Sequence, residues 1–206
     1  TGSVSSPMGL GSDSKPVRVD MFGRPTYLAD SMQFALEYVC RLSERGAYYL
    51  MPSFRGDAPD ATHLCQFFHS EAEVPGGLDD VVRVSESYLR HVVTRLAEKH
   101  ESTVRAAAGN LDHVEALLTD QAPFRRITFD EAAIELRGDP RYVAAEYGWR
   151  NLTRAGEQEL MRRFGEFIWV THWDCLAVPF YQRRDAHGQS LNGDLLFGPG
   201  EVIGAG

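Results

Sequence analysis

With 206 residues, 29 acidic against 21 basic side chains and 43% hydrophobic residues, the chain has a formal charge of −8 and apolar content for one large core, which excludes a disordered composition and leaves two ordinary domains cramped. A pI of about 5.3 argues against nucleic-acid binding by bulk charge, and DNA is not an expected partner. No apolar run approaches the ~20 residues of a membrane span, the first residues lack a signal-peptide pattern, and Cys40, Cys65 and Cys175 form no CxxC pair, so membrane, secreted and disulfide-framework classes are not expected and a cytoplasmic protein is.

Taken in chain order, Thr1 to Ser14 is Gly/Ser-rich and reads as a loop. Val17 to Phe22 alternates, Gly23-Arg24-Pro25 signals a turn, and Thr26 to Ala29 is extended again, which predicts a hairpin. Asp30 or Ser31 caps a helix carrying Met32, Ala35, Leu36, Val39 and Leu42 at helical spacing, ended by Gly46. Strands at Ala47 to Phe54 and His63 to Glu73 flank a long polar tip and form a second hairpin. Val81, Ser85, Tyr88, Leu89, Val92 and Leu96 mark an amphipathic helix ending near His100, and Leu111 to Thr119 predicts another. Thr128 and Glu131 form a capping box for a short helix within Arg126 to Leu136. Asp139 to Asn151 shows no clear period, and Gly156 to Phe164 is helical. Strands then follow at Phe167 to Trp173, Ala177 to Gln182, Gly193 to Phe197 and Glu201 to Ile203, with a turn at Asp185 to Gly188. Short-turned hairpins with helices gathered on them predict an α+β fold, an antiparallel β-sheet flanked by helices, over one domain of residues 1–206.

Three segments place polar groups in strand-like sequence, where they need a reason. Arg55, at a strand end and followed by Gly56, either presents a bidentate fork to a phosphate or pairs with Asp57 or Asp60. With period 2, His63, Cys65, Phe67, His69, Glu71 and Glu73 share one face of their strand, which suits a substrate-facing surface better than a metal site of Cys65, His69 and Glu71. Asp194 and Glu201 flank a Gly-Pro-Gly turn; they either hold Mg²⁺ whose shell substrate phosphates complete, or belong to an ordinary exposed turn. His172-Trp-Asp-Cys175 lacks an orienting partner for a thiol nucleophile, and Cys175 reads as a core residue.

In their order, these segments resemble the catalytic core of class II aminoacyl-tRNA synthetases, most closely the asparaginyl/aspartyl branch. Asp30-Ser-Met-Gln-Phe-Ala-Leu-Glu37 is similar to that branch's S-P-Q-L-x-K-Q helix start. Phe54-Arg-Gly-Asp57, then His63-Leu-Cys-Gln-Phe67 through Glu73, resembles its motif 2, F-R-x-E, H-L-x-E-F and D-x-E. Arg126-Ile-Thr-Phe-Asp-Glu-Ala132, Val170-Thr-His-Trp173, Pro179-Phe-Tyr181, Asp194-Leu-Leu196 and Gly200-Glu-Val-Ile-Gly204 fall at the corresponding places.

The resemblance implies an ATP-dependent ligase that forms an aminoacyl adenylate. Arg55 would bind the ATP α-phosphate as the catalytic residue, Asp57, His63 and Leu64 would line the nucleotide site, and Phe67 would stack on adenine. Gln33, His69 and Glu71 would face the amino acid, and Asp194 with Glu201 would serve ATP and Mg²⁺. A homodimer is implied too, with tRNA or a small amine as acyl acceptor; the alternative is a non-catalytic relative acting as a binding or regulatory module. The chain departs from the pattern in Asp57 for Glu, Gln66 for Glu, Leu36 for Lys, Glu71 for Asp and His69 for Gln. The mobile loop's Glu-Gly pair is not apparent near Met8-Gly9, and the motif 1 proline element, motif 3 and an anticodon-binding domain are not found in the 206 residues; motif 3 would follow Gly206. Because Leu36 stands where a lysine would read a substrate carboxylate, a neutral or cationic amino-acid side chain is expected in preference to aspartate.

Overall fold

A computed structural model describes residues 4–5 and 15–206. The expected loop over Thr1 to Ser14 lies outside the described residues except at β1 (Val4–Ser5), which pairs with Leu28 and Tyr27 of β3, and Met8-Gly9 lies outside them altogether. The chain divides into two compact units, Thr1–Gly76 with Cys175–Gln182, and Gly77–Asp174 with Arg183–Gly206.

In the first unit, β2 (Arg18–Met21) and β3 (Arg24–Leu28) form the expected hairpin. Its turn is Phe22-Gly23, not Gly23 to Pro25, because both residues take the positive φ (55° and 74°) that tight hairpin turns require. Helix α1 (Gln33–Cys40) starts where Ser31 Oγ accepts the Gln33 N–H at 3.0 Å. It stops well before Gly46; of the expected apolar stripe Leu36 is buried, whereas Val39 and Leu42 are exposed. Strands β4 (Ala47–Phe54) and β5 (Gln66–Glu73) pair antiparallel in one unbroken register, Ala47 opposite Glu73 and Phe54 opposite Gln66. β5 thus begins three residues after the expected His63, since Asp60 folds residues 60–63 into a local turn by accepting from the Thr62 and His63 backbone N–H groups. Ala177 to Gln182 is not a strand: Pro179 interrupts it, and the Gln182 N–H bonds the Pro179 carbonyl in a turn.

The second unit holds the larger sheet, in the order β11 (Gly200–Ala205), β10 (Gly193–Phe197), β9 (Ile168–Thr171), β6 (Arg125–Thr128). The β10 pairs are antiparallel as expected, but β6 runs parallel to β9, a strand absent from the expected set. Four residues of mixed character before a strong capping box carry no alternation that could reveal it. All four residues of β9 are buried, with Trp169 against Val82 of α2 (Leu78–Ala108) and Leu195 of β10. The Trp169 indole N–H donates to Glu86 Oε1 at 3.0 Å, so its polar edge is satisfied.

Helix α2 leaves helical geometry at His100, the expected end, then resumes to Ala108. Arg90 donates to the carbonyls of Leu117, Asp120 and Ala122, closing the end of α3 (Asp112–Thr119) onto α2. The capping box opens α4 (Phe129–Glu135) as expected: Glu131 N–H donates to Thr128 Oγ1 at 3.2 Å, and Thr128 N–H to Glu131 Oε2 at 2.7 Å. The stretch without a clear period contains a small hairpin, β7 (Val143–Glu146) and β8 (Trp149–Leu152), turning at Tyr147-Gly148 with Gly148 at φ 88°. Thr153 caps α5 (Arg154–Phe164) by accepting from the Gly156 N–H at 3.1 Å. His172, at φ 59°, ends β9 before the expected Trp173. Among the described residues no helix is long and apolar enough to cross a membrane.

Candidate active site

In the first unit the period-2 reading of β5 holds. Phe67, His69, Glu71 and Glu73 are partly covered, while Gln66, Phe68, Ser70 and Ala72 are exposed. The Arg55 N–H is pinned to the Cys65 carbonyl at 2.8 Å, which sets the base of the loop, and the guanidinium lies 5.8 Å from the Phe67 ring centroid. Phe67 and His69 follow at 5.6 Å between rings. His69 Nδ1 is 3.3 Å from Ser53 Oγ, itself fully buried, and 3.8 Å from Glu71 Oε2. That last distance is beyond a hydrogen bond, and burial followed by the Arg55 charge holds the imidazole below its ordinary range. Burial thus disfavours the charged imidazole and weakens any pairing with Glu71.

Glu71 is tied down from the other side. Ser31 Oγ lies 2.8 Å from both carboxylate oxygens while accepting from the Gln33 backbone, and the Met32 N–H donates to Tyr49 Oη at 2.9 Å. Burial raises the Glu71 carboxyl, partly offset by the Ser31 hydroxyl and the Met32 N–H, which also faces it. Glu73 is pushed up to about 7, first by burial and then by the charges of Glu37 and Glu71. The Tyr181 phenol is pushed up to about 12, by burial first and then by Glu71, Glu37, Glu73 and Asp30.

The Glu73 shift has a measurable sign. A carboxyl raised in the folded state stabilises the fold at acid pH, and that contribution fades between the ordinary value near 4.5 and about 7. We expect Glu73→Gln to flatten the decline of stability over this interval in urea midpoints measured at several pH values; an unchanged slope would contradict it.

Other residues singled out from the sequence are placed differently. The Asp57 carboxylate accepts from the Lys15 backbone at 3.1 Å, and a Cβ on Gly56 would fall 2.8 Å from the Lys15 carbonyl, so both residues dock the segment before β2. His63 pairs with Asp60 at 2.9 Å on the exposed tip, and Leu64 is 65% exposed. The Gln33 amide donates to Glu37 Oε1 at 3.0 Å. Ser53, Tyr49 and Tyr181, which lie beside these residues, were not singled out from the sequence as site candidates; the polar Ser53 in an apolar strand was the available signal. Cys175 is partly exposed, not a core residue, because no strand carries it inward.

In the second unit, Asp194 on β10 stands opposite Gly204, whereas Glu201 stands opposite Leu196. The register slips by one between Leu195 and Leu196, leaving Val202 as the extra residue. This bulge puts Glu201 on the Asp194 face; three positions apart on a regular strand, Glu201 and Gly204 would face opposite ways. A Cβ on Gly204 would lie 3.1 Å from Glu201 Oε1 and 3.8 Å from Asp194 Oδ1, so that glycine leaves both carboxylates room. Burial, then the charges of Glu201 and Glu157, hold the Asp194 carboxyl well above the carboxylate range. These hard oxygen donors suit Mg²⁺, which would relieve their repulsion. Among the described residues no three His, Cys, Asp or Glu side chains are placed to hold an ion.

The α+β fold of the chain is that of a known class of protein. The family described as tRNA synthetases class II (D, K and N) matches residues 7–206, and the chain belongs to it. It is 30% identical over 193 residues to the asparagine–tRNA ligase of Thermoplasma acidophilum and 31% identical over 199 residues to the probable cytoplasmic asparagine–tRNA ligase of Encephalitozoon cuniculi; each alignment covers 91% of this chain and 43% of the relative. The chain thus spans less than half the length of these relatives. Among solved structures, Pyrococcus horikoshii asparaginyl-tRNA synthetase complexed with asparaginyl-adenylate superposes with a TM-score of 0.85 at 26% identity, covering 98% of this chain and 46% of that one.

Proposed function

We propose that the chain is a catalytic domain of an ATP-dependent ligase that activates an amino acid as its adenylate, asparagine being the first to test and tRNA or a small amine the acceptor. Family membership, together with the Arg55–Phe67–His69–Glu71 row on one face of β5 and its loop, carries this reading. A cytoplasmic homodimer, with residues 1–206 as a single domain, belongs to the same proposal.

One oxygen of the amino-acid carboxylate attacks the α-phosphorus of ATP in line; the new P–O bond forms as the bond to the bridging oxygen breaks and pyrophosphate leaves. Little covalent work falls to the protein, so the rate rests on positioning and charge. Arg55 neutralises the charge that grows on the α-phosphate. Phe67 offers a π face to adenine, and Glu71, oriented by Ser31, accepts from the substrate ammonium. Asp57, His63 and Leu64 line the nucleotide site in this reading, and Gln33 with His69 lines the amino-acid side. Asp194 and Glu201 are the residues that would hold Mg²⁺, which when bound shields the negative charge of the phosphates. Amino-acid-dependent exchange of pyrophosphate into ATP, over a panel of amino acids with and without tRNA, tests the proposal; no exchange with any of them refutes it.

Phe67→Leu keeps the apolar volume but removes the ring. At about 0.5–1.5 kcal/mol for an aromatic stack, ATP binding should weaken by about two- to tenfold with the thermal midpoint little changed. Unchanged ATP affinity by calorimetry would remove Phe67 from the nucleotide site.

A further inference from the structure

We propose that Ser53 is a positioning residue for His69: its hydroxyl donates to Nδ1 and leaves the ring proton on Nε2, where it serves an oxygen of the amino-acid carboxylate. The proposal rests on the ligase reading above.

Ser53 lies on β4 opposite Phe67, two residues from Met51, which stands opposite His69. Its side chain is fully buried, and its Oγ lies 3.3 Å from His69 Nδ1, with no other hydrogen bond to Oγ among the described residues. A buried hydroxyl proton left without an acceptor is costly. If Nδ1 carried the ring proton, it would donate to Ser53 Oγ and the hydroxyl proton would have no acceptor there. The arrangement that satisfies both groups makes Ser53 the donor and Nδ1 the acceptor. Glu71 does not reverse it, because its Oε2 stands 3.8 Å from Nδ1 and already accepts from Ser31 at 2.8 Å. Burial favours the neutral ring, which carries its proton on one nitrogen only.

The ring is also fixed in orientation. Tyr49 meets it edge-on with centroids 6.3 Å apart, and the Phe67 ring lies at 5.6 Å. Nε2 makes no hydrogen bond among the described residues, and 29% of the side chain is exposed. Neighbours on one face of β5 are about 7 Å apart, so His69 stands between Phe67, with Arg55 beside it, and Glu71. With the α-phosphate at Arg55 and the substrate ammonium at Glu71, the carboxylate that joins them falls in the middle of this row. A neutral N–H there orients the carboxylate and leaves its charge for attack on phosphorus, whereas the other tautomer would turn a lone pair toward it.

The experiment uses the whole chain, isotopically labelled at nitrogen, at a pH above the histidine range. Long-range proton–nitrogen NMR reads which ring nitrogen bears the proton, and the signal lost in His69→Gln assigns His69. Wild type should carry the His69 proton on Nε2, and Ser53→Ala, which leaves Glu71 as the nearest partner of Nδ1, should move population to Nδ1. In pyrophosphate exchange Ser53→Ala should raise the amino-acid KM by about three- to tenfold, with the ATP KM and thermal midpoint near wild type, and Ser53→Thr, which keeps the hydroxyl, should recover most of it. A wild-type proton on Nδ1, or an unchanged amino-acid KM in Ser53→Ala, overturns the role of Ser53 and leaves the ligase reading intact. A rise in both KM values with a large fall in the Ser53→Ala thermal midpoint identifies Ser53 as a packing residue and also overturns it. A wild-type chain that exchanges with no amino acid overturns the ligase reading and this proposal with it, and the NMR signal tells that failure from a wrong tautomer.

Discussion

Arg55→Ala should lower amino-acid-dependent pyrophosphate exchange by at least about a hundredfold, with the circular dichroism spectrum unchanged. Removing one preorganised donor from a developing oxyanion costs about that much, and a guanidinium brings a full charge as well. The backbone of the loop does not depend on the side chain, because the Arg55 N–H to Cys65 carbonyl bond remains in the mutant. Arg55→Lys should recover part of the rate only, since a point charge on a flexible stem cannot reproduce the planar fork. Exchange at the wild-type rate in Arg55→Ala would show that the cation serves only its neighbours, Phe67 among them.

Aspartate should be a poor substrate, by at least about a hundredfold in kcat/KM against the best amino acid. In the proposed site a substrate side-chain carboxylate would share a pocket with Glu71, whose carboxyl is half-buried and bonded to Ser31, and with buried Leu36, which the resemblance aligns with a lysine. Burial and the Arg55 charge disfavour the protonated His69 that could offset this. An uncompensated carboxylate in such surroundings costs several kcal/mol, and each ~1.4 kcal/mol is tenfold in rate. A neutral amide or a cationic group avoids that cost. Pyrophosphate release measured over both classes decides the matter; aspartate as the best substrate would show that a cation reaches Glu71 from outside the residues described.

Much of the β4–β5 hairpin could be read from residue order alone, because its determinants are local. Alternation over residues 66–73 puts Phe67, His69 and Glu71 on one face whatever lies beyond, and the burial pattern follows it residue by residue. Thr128 with Glu131 specifies a helix start within four residues, and that start is present. The same locality explains the errors. Phe180 looks like a strand residue by type, yet it stands 83% exposed in a turn, since apolar character cannot say whether a partner strand exists.

Contacts between distant parts of the chain decided the rest. Ser31 orients Glu71 across 40 positions, and no pattern in either segment announces that bond. β6 joins β9 in parallel because the connection between them, with α4 and α5, returns the chain in the same direction. Composition shows that Asp194 and Glu201 exist, but one bulged residue, Val202, determines that they share a face, and register is a property of a strand pair. Their charge state is likewise collective: burial and the neighbours Glu201 and Glu157 raise the Asp194 carboxyl, whereas in the unfolded chain water would screen all three. Residue types and short periods therefore determined which chemistry the chain carries, and tertiary packing decided which of those groups meet, because proximity and desolvation arise only when distant segments close on one another.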